Sequence, residues 1–361
     1  MDWAALTEAG LYDPAAPNAA DRRALLEFLA EEGCTLDEMI TANARGRLFG
    51  LAGDRKVRPG RDELTLREVA ELTGTDLGLV HRLWQAYGLP IVDPDTKVAS
   101  RDDASTVPLF ASMAAILGEE GALGLARVAA ASVARFADAV SAALRVAVSD
   151  LGIEASGSEE TTARTFAGLA AVTPQVGHAL DVLLRHHLEA ARRQFELSES
   201  NDVALTGQIR LAVGFADLTG FTAMSQVATS NELGRMLDAF EAVATDAVHG
   251  AGGRVVKFIG DAVMYVHPSA AEAVSIARRL VADCEQPVRA GLSYGLLLAQ
   301  DGDYFGPPVN LAARLTDAAT ARQVLVSGDL RQRLGEAART EPQPPKALRG
   351  IADPVVSYAV L

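Results

Sequence analysis

The chain has 361 residues, 49% hydrophobic and 22% charged, with 33 basic side chains against 47 acidic ones and a net charge of -14. That length exceeds what one hydrophobic core usually serves, so two domains are expected, and the composition excludes a disordered chain. The acidic balance opposes indiscriminate attraction to nucleic acid or anionic lipid, so a polyanionic ligand needs a local positive site or a metal ion.

The start, Met1-Asp2-Trp3, lacks the basic and apolar stretches of a secretory signal. Cys34 and Cys284 stand far apart without metal-ligand spacing, and they read as reduced thiols of a cytoplasmic protein. Apolar residues then recur at helical spacing across 20–48, 64–87, 105–150 and 160–197. Breaks at Val57-Arg58-Pro59-Gly60, Gly88-Leu89-Pro90 and Leu151-Gly152 separate these helical segments. The segment Leu64 to Gly74, followed by Leu79 to Trp84, has the form of two short helices joined by a glycine turn, as in a helix-turn-helix. Its second helix would present Asp76, His81 and Arg82, a weak footprint for DNA in so acidic a protein. A structural helix pair is the favoured reading, and no nucleic acid is expected as a partner. The most apolar stretch, Ala104 to Gly118, is too short to span a bilayer and reads as a buried helix, so no transmembrane segment is expected. A charged run from Glu189 to Glu196 leads into the polar connector Ser198-Glu199-Ser200-Asn201-Asp202.

Past the connector the pattern changes. Ile209 to Ala216, Val255 to Val266 around Gly260-Asp261, and Arg289 to Leu298 are strand-like, with helical stretches at 231–249, 270–283 and 308–319. Strand, helix, hairpin, helix, strand is the order of a ferredoxin-like sheet layered by helices. The expected fold is an all-α N-terminal domain over 1–195, a linker over 196–208 and an α/β, ferredoxin-like C-terminal domain over 209–361.

Three clusters in the C-terminal part carry chemistry. In Phe215-Ala216-Asp217-Leu218-Thr219-Gly220-Phe221, strand periodicity sets Leu211, Val213, Phe215 and Asp217 on one face, so a carboxylate ends an apolar row. In the second run, Val256 and Phe258 are expected to point one way and Val255, Lys257 and Ile259 the other, before Gly260 turns the chain into Asp261. Pairing of the first strand beside this hairpin would bring Asp217 and Asp261 together, the carboxylate pair that magnesium takes alongside substrate phosphates. Either Asp alone would pass for a turn residue. The third cluster runs from Asp303 through Gly306-Pro307-Pro308-Val309-Asn310 to Arg314. Its prolines suit a helix entrance, and Asn310 and Arg314 then share one helical face. Taken alone, Asn310 reads as a helix cap and Arg314 as a solvated charge.

Together these motifs, in this order over Ile209 to Leu361, resemble the class III nucleotidyl cyclases. The resemblance implies that Asp217 and Asp261 hold two divalent metal ions, Mg2+ or Mn2+. It implies that Lys257 and Asp303 read the purine and that Asn310 and Arg314 stabilise the transition state. Arg289, in Val288-Arg289-Ala290-Gly291, matches a position that contacts terminal phosphates in many members. Arg349, in Leu348-Arg349-Gly350-Ile351, matches a segment where relatives carry a phosphate-binding Lys. Asp303 as acceptor and Lys257 as donor suit adenine, and guanylyl members carry a different pair, so ATP is the implied substrate. Cyclic AMP and pyrophosphate are the implied products. Sites in the family form between two catalytic domains, and one copy of each motif implies a homodimer.

The helical half resembles, more loosely, the regulatory half of acid-responsive actinobacterial adenylyl cyclases. That implies a pH switch, for which His178, His186 and His187 are the candidates. It also implies a fatty acid held among the helices, for which the apolar run Val107 to Ala131 is suited, as it equally is to a dimer core. The competing function is a catalytically silent, nucleotide-binding signalling regulator with a DNA- or protein-binding helical domain.

Overall fold

A computed structural model describes residues 1–60, 63–147, 157–197 and 207–361. They form two compact units, Met1–Leu184 and Arg185–Leu361. The Leu151-Gly152 break and the expected connector at 198–202 lie outside the described residues.

The first unit is helical, as its periodicity predicts. Helices α1 (Trp3–Glu8), α2 (Ala19–Glu31), α3 (Leu36–Ala44) and α4 (Leu51–Val57) are followed by α5 (Leu66–Thr73), α6 (Leu77–Ala86), α7 (Arg101–Leu117) and α8 (Glu119–Ala147). Beyond them come α9 (Glu159–Ala170) and α10 (Thr173–Leu197), the latter running across the boundary between the units. One core gathers Leu25, Leu26, Leu29, Leu51 and Ala163; a second gathers Leu66, Val69, Leu83, Trp84, Ala104 and Val107. The sequence did not announce the short antiparallel pair β1 (Leu64–Thr65) and β2 (Lys97–Ala99), which clasps the second core. Capping boxes at Thr35/Glu38, Thr65/Glu68 and Ser100/Asp103 start α3, α5 and α7, each satisfying backbone N–H groups that the first turn leaves open.

One expectation changes here. The apolar stretch 104–118 is not a buried helix within this unit: Ala104 and Val107 are covered, while Leu109 is 60% and Ile116 83% exposed. Among the described residues one helical stretch, Glu159–Arg193, is long and apolar enough to cross a membrane by length and composition alone. The helix pair α5–α6 is formed around Gly74 in the left-handed conformation. Asp76 is spent capping α6 and Arg82 pairs with Glu119, which favours the structural reading of this motif over a DNA-reading one.

The second unit is built on an eight-stranded sheet in the order β4-β5-β3-β6-β8-β10-β9, with β7 paired to β6. Its strands are β3 (Gln208–Leu218), β4 (Arg254–Ile259), β5 (Ala262–His267), β6 (Val288–Gln300), β7 (Asp303–Phe305), β8 (Val324–Val326), β9 (Thr340–Pro342) and β10 (Tyr358–Val360). Its helices are α11 (Phe221–Met224), α12 (Ser230–Gly250), α13 (Ala270–Asp283), α14 (Pro307–Ala318) and α15 (Gly328–Leu334). The expected strand, helix, hairpin, helix, strand order is present as β3, α12, β4–β5, α13, β6. β3 lies between β5 and β6 and is antiparallel to both.

Alternation along β3 divides the cores. Ala212, Ala216 and Leu218 face α12, α13 and α15, while Ile209, Leu211, Val213 and Phe215 face the side covered by α14. α14 sits flush on β6 because Gly291 and Gly295 leave room: a Cβ on Gly291 would fall 2.2 Å from the Thr316 backbone nitrogen. The Thr316 hydroxyl also donates to the Phe215 carbonyl at 3.3 Å, tying α14 to the strand that ends in Asp217.

Candidate active site

At the end of β3, Asp217 pairs in register with Ala262, the residue after Asp261, and the Leu218 N–H donates to the Asp261 carbonyl at 3.1 Å. The hairpin therefore does bring Asp261 beside Asp217. Burial raises the Asp217 carboxyl above the usual range, the Asp261 charge raises it further, and hydrogen bonds from Arg289 offset part of this. Arg289, opposite Asp217 on β6, donates to Oδ2 from Nε at 2.9 Å and from Nη2 at 2.6 Å. No hydrogen bond reaches Asp217 Oδ1 among the described residues. Two acids held side by side, one half-buried, form a site whose charge a divalent cation would relieve, so this donor set fits hard metal ions.

Lys257 on β4 and Asp303 on β7 are brought together as an ion pair. The second Asp303 oxygen, Oδ1, accepts the Tyr304 backbone N–H at 2.8 Å. The expected alternation along β4 fails because the pairing with β5 shifts register between Val255 and Lys257. With that bulge, Val255 and Phe258 pack toward one core and Val256 toward the other. Simple period-two counting had put Val256 and Phe258 on the same side.

On α14, Pro307 and Pro308 occupy the first turn as expected. Gly306 takes the N-cap position, so Asn310 is not a cap; it lies exposed, with no side-chain hydrogen bond among the described residues. Arg314, on the same face, is held by the Asp317 carboxylate at 3.0 Å. The Asp317 carbonyl accepts from Arg289 Nη1 at 3.3 Å, so Asp317 joins the α14 arginine to the Asp217 end of the sheet. Sequence reasoning missed Asp317, although its position three residues after Arg314 on a helix was a usable signal.

Four further candidates stand apart from these groups. Arg349 is exposed in the turn before Gly350, and His178, His186 and His187 are exposed along α10. Among the described residues no cluster of three or more His, Cys, Asp or Glu side chains suits a metal.

Residues 7–192 match the family model described as the adenylate cyclase regulatory domain. A pH-sensitive adenylate cyclase of Mycobacterium tuberculosis is 32% identical over 364 residues, covering 94% of this chain and 88% of that protein. The chain belongs to the adenylate cyclases. An uncharacterized protein of Mycobacterium tuberculosis is also similar to this cyclase, 39% identical over 363 residues and covering 99% of this chain and 94% of its own length. Among solved structures, the adenylyl cyclase CyaB from P. aeruginosa matches 43% of this chain and 94% of its own, at 24% identity and a TM-score of 0.38.

Proposed function

We propose that this cyclase converts ATP into 3′,5′-cyclic AMP and pyrophosphate at composite sites between two copies of the chain. The observation that carries the reading is the separation of two charged stations along α14. The Lys257–Asp303 pair precedes its N-terminus, and the Asp217–Arg289 pair adjoins its C-terminus through Asp317. In this reading one chain's purine station and its own carboxylates serve different ATP molecules. A twofold dimer brings each station opposite its complement, giving two sites.

In such a site Lys257 donates to a ring nitrogen of adenine and Asp303 accepts from the exocyclic amine. Asn310 orients the ribose, so that the 3′ oxygen approaches the α-phosphorus in line. Arg314 meets the charge that grows on the α-phosphate, and Arg289 holds the terminal phosphates, with Arg349 as an additional phosphate contact. Two ions, Mg2+ or Mn2+, held by Asp217 and Asp261 would supply charge neutralisation and acidify the ribose hydroxyl. The four central strands of the second unit follow the ferredoxin-like plan in this reading, with the domains running 1–195, 196–208 and 209–361.

Regulation is assigned to the helical half. His178, His186 and His187 are solvent-accessible on one helix that crosses from the first unit into the second, which suits a proton-driven change in that helix. A bound fatty acid and a second copy would each cover the outward apolar residues of α7 and α8. The cavity between α5, α6 and α7 measures about 10 Å³, room for one water, so an acyl chain does not fit there. Two free, buried cysteines support a cytoplasmic location.

The test is formation of cyclic AMP from ATP with magnesium or manganese, followed across pH. Activity should rise as pH falls from neutral towards about 6, and replacing all three histidines by Gln should flatten that rise. Equal turnover of GTP, or no cyclic product at any pH, would contradict the reading.

A further inference from the structure

The bulge in β4 has turned Arg254 as well as Lys257 toward the β6–β7 hairpin. In a regular strand residues three apart face opposite sides. Here the register shift between Val255 and Lys257 restores both to one side. Arg254 Nη2 donates to the Gly302 carbonyl at 3.0 Å and Nη1 to the Tyr304 hydroxyl at 3.4 Å. Its guanidinium carbon also sits 5.7 Å from the centre of the Tyr304 ring.

These contacts bracket Asp303 on both sides. The tip Asp301-Gly302 has φ of 53° and 79°, a tight two-residue turn with both centres left-handed, and both residues are exposed. Beyond the tip, β7 is tied to β6 by only three residue pairs. Tyr304, 6% exposed, anchors its far side. Arg254 reaches across to the tip and to the tyrosine at once, which needs the forked donors and the flat face of a guanidinium rather than an ammonium.

We propose that Arg254 is a positioning residue for purine selection. By fixing the turn before Asp303 and the ring after it, it sets where the Asp303 carboxylate meets the base. The assignment rests on the cyclase reading above, in which Asp303 and Lys257 read adenine. Adenine offers Asp303 an amine where guanine offers a carbonyl, so discrimination depends on the carboxylate standing at hydrogen-bond distance. Arg254 acts through Asp303 and does not touch the nucleotide.

The experiment measures equilibrium binding of 3′-deoxy-ATP and 3′-deoxy-GTP, which lack the attacking hydroxyl, to the full chain and to Arg254→Met. The variant should lose about tenfold of its preference for the adenine nucleotide, mainly through weaker 3′-deoxy-ATP binding, with its thermal midpoint little changed. Arg254→Lys keeps one donor and the charge and should fall between the two; it carries the same test where Met disturbs the fold. A preference equal to wild type in both variants, or equal weakening of both nucleotides, would overturn the role. Cyclic AMP formation by the wild-type chain tests the cyclase reading separately, so an unchanged binding ratio counts against Arg254 alone.

Discussion

The two units differ in what they leave unfinished. In the second, the apolar rows on both faces of β3 are consumed by helices, and the site cations Arg289, Lys257 and Arg314 each find a carboxylate within the same unit. In the first, two cores are closed, yet α7 and α8 still turn Leu109, Ile116, Leu125, Val133 and Phe136 to the surface. The catalytic half is thus complete as a fold, while the helical half leaves an apolar surface uncovered. In the proposed reading a second copy of the chain would complete each catalytic site and cover the apolar stripe, which marks a partner face.

The comparison breaks most sharply at Asp217. Asp217→Ala should lower cyclic AMP formation by ~100-fold or more, while the chain keeps its thermal unfolding profile, because the residue ends an apolar row rather than filling a core. A variant that is inactive and also unfolded would move Asp217 from chemistry to structure. Next in size is Gly291→Val, which forces side-chain atoms into the Thr316 backbone and should destabilise the catalytic half by about 3 kcal/mol. Circular dichroism should still record the helical half melting as in wild type; loss of both transitions together would show that the two units fold as one.

The smallest expected effect lies in the helical half and depends on acid. Burial pushes the Asp103 carboxyl up, but hydrogen bonds from Arg58 and Ser100 outweigh it and hold the group below its ordinary 3.8. A carboxylate with a depressed folded value stabilises the fold above its unfolded pKa and loses that contribution as pH falls through the folded one. The helical half should therefore weaken below about pH 4. Asp103→Asn should cost about 1–2 kcal/mol near neutrality and remove that acid dependence. Thermal midpoints measured between about pH 3 and 7 would check it.

Much of this was readable from residues alone because the signals were local. The carboxylate ending the Leu211, Val213, Phe215 row and the prolines opening the Asn310–Arg314 helix follow from periodicity and fixed φ, and both stand as expected. What was not readable depended on irregularity or distance. The bulge that redirects Lys257 and Arg254 has no composition signature in Arg254-Val255-Val256-Lys257. The close approach that Gly291 permits is a relation between β6 and α14 that a single glycine does not announce. The exposure of Ile116 was missed for a related reason, since an apolar run states that a face must be covered but not by which chain.

Sharing of one site by two copies is the central claim, and mixing Asp217→Ala chains with Arg314→Ala chains tests it most directly. Each variant alone should make almost no cyclic AMP. When the two exchange subunits at random, half the dimers are mixed and each carries one intact site, so activity should return to roughly a quarter of wild type. A mixture as silent as its two components, with subunit exchange verified, would contradict the account.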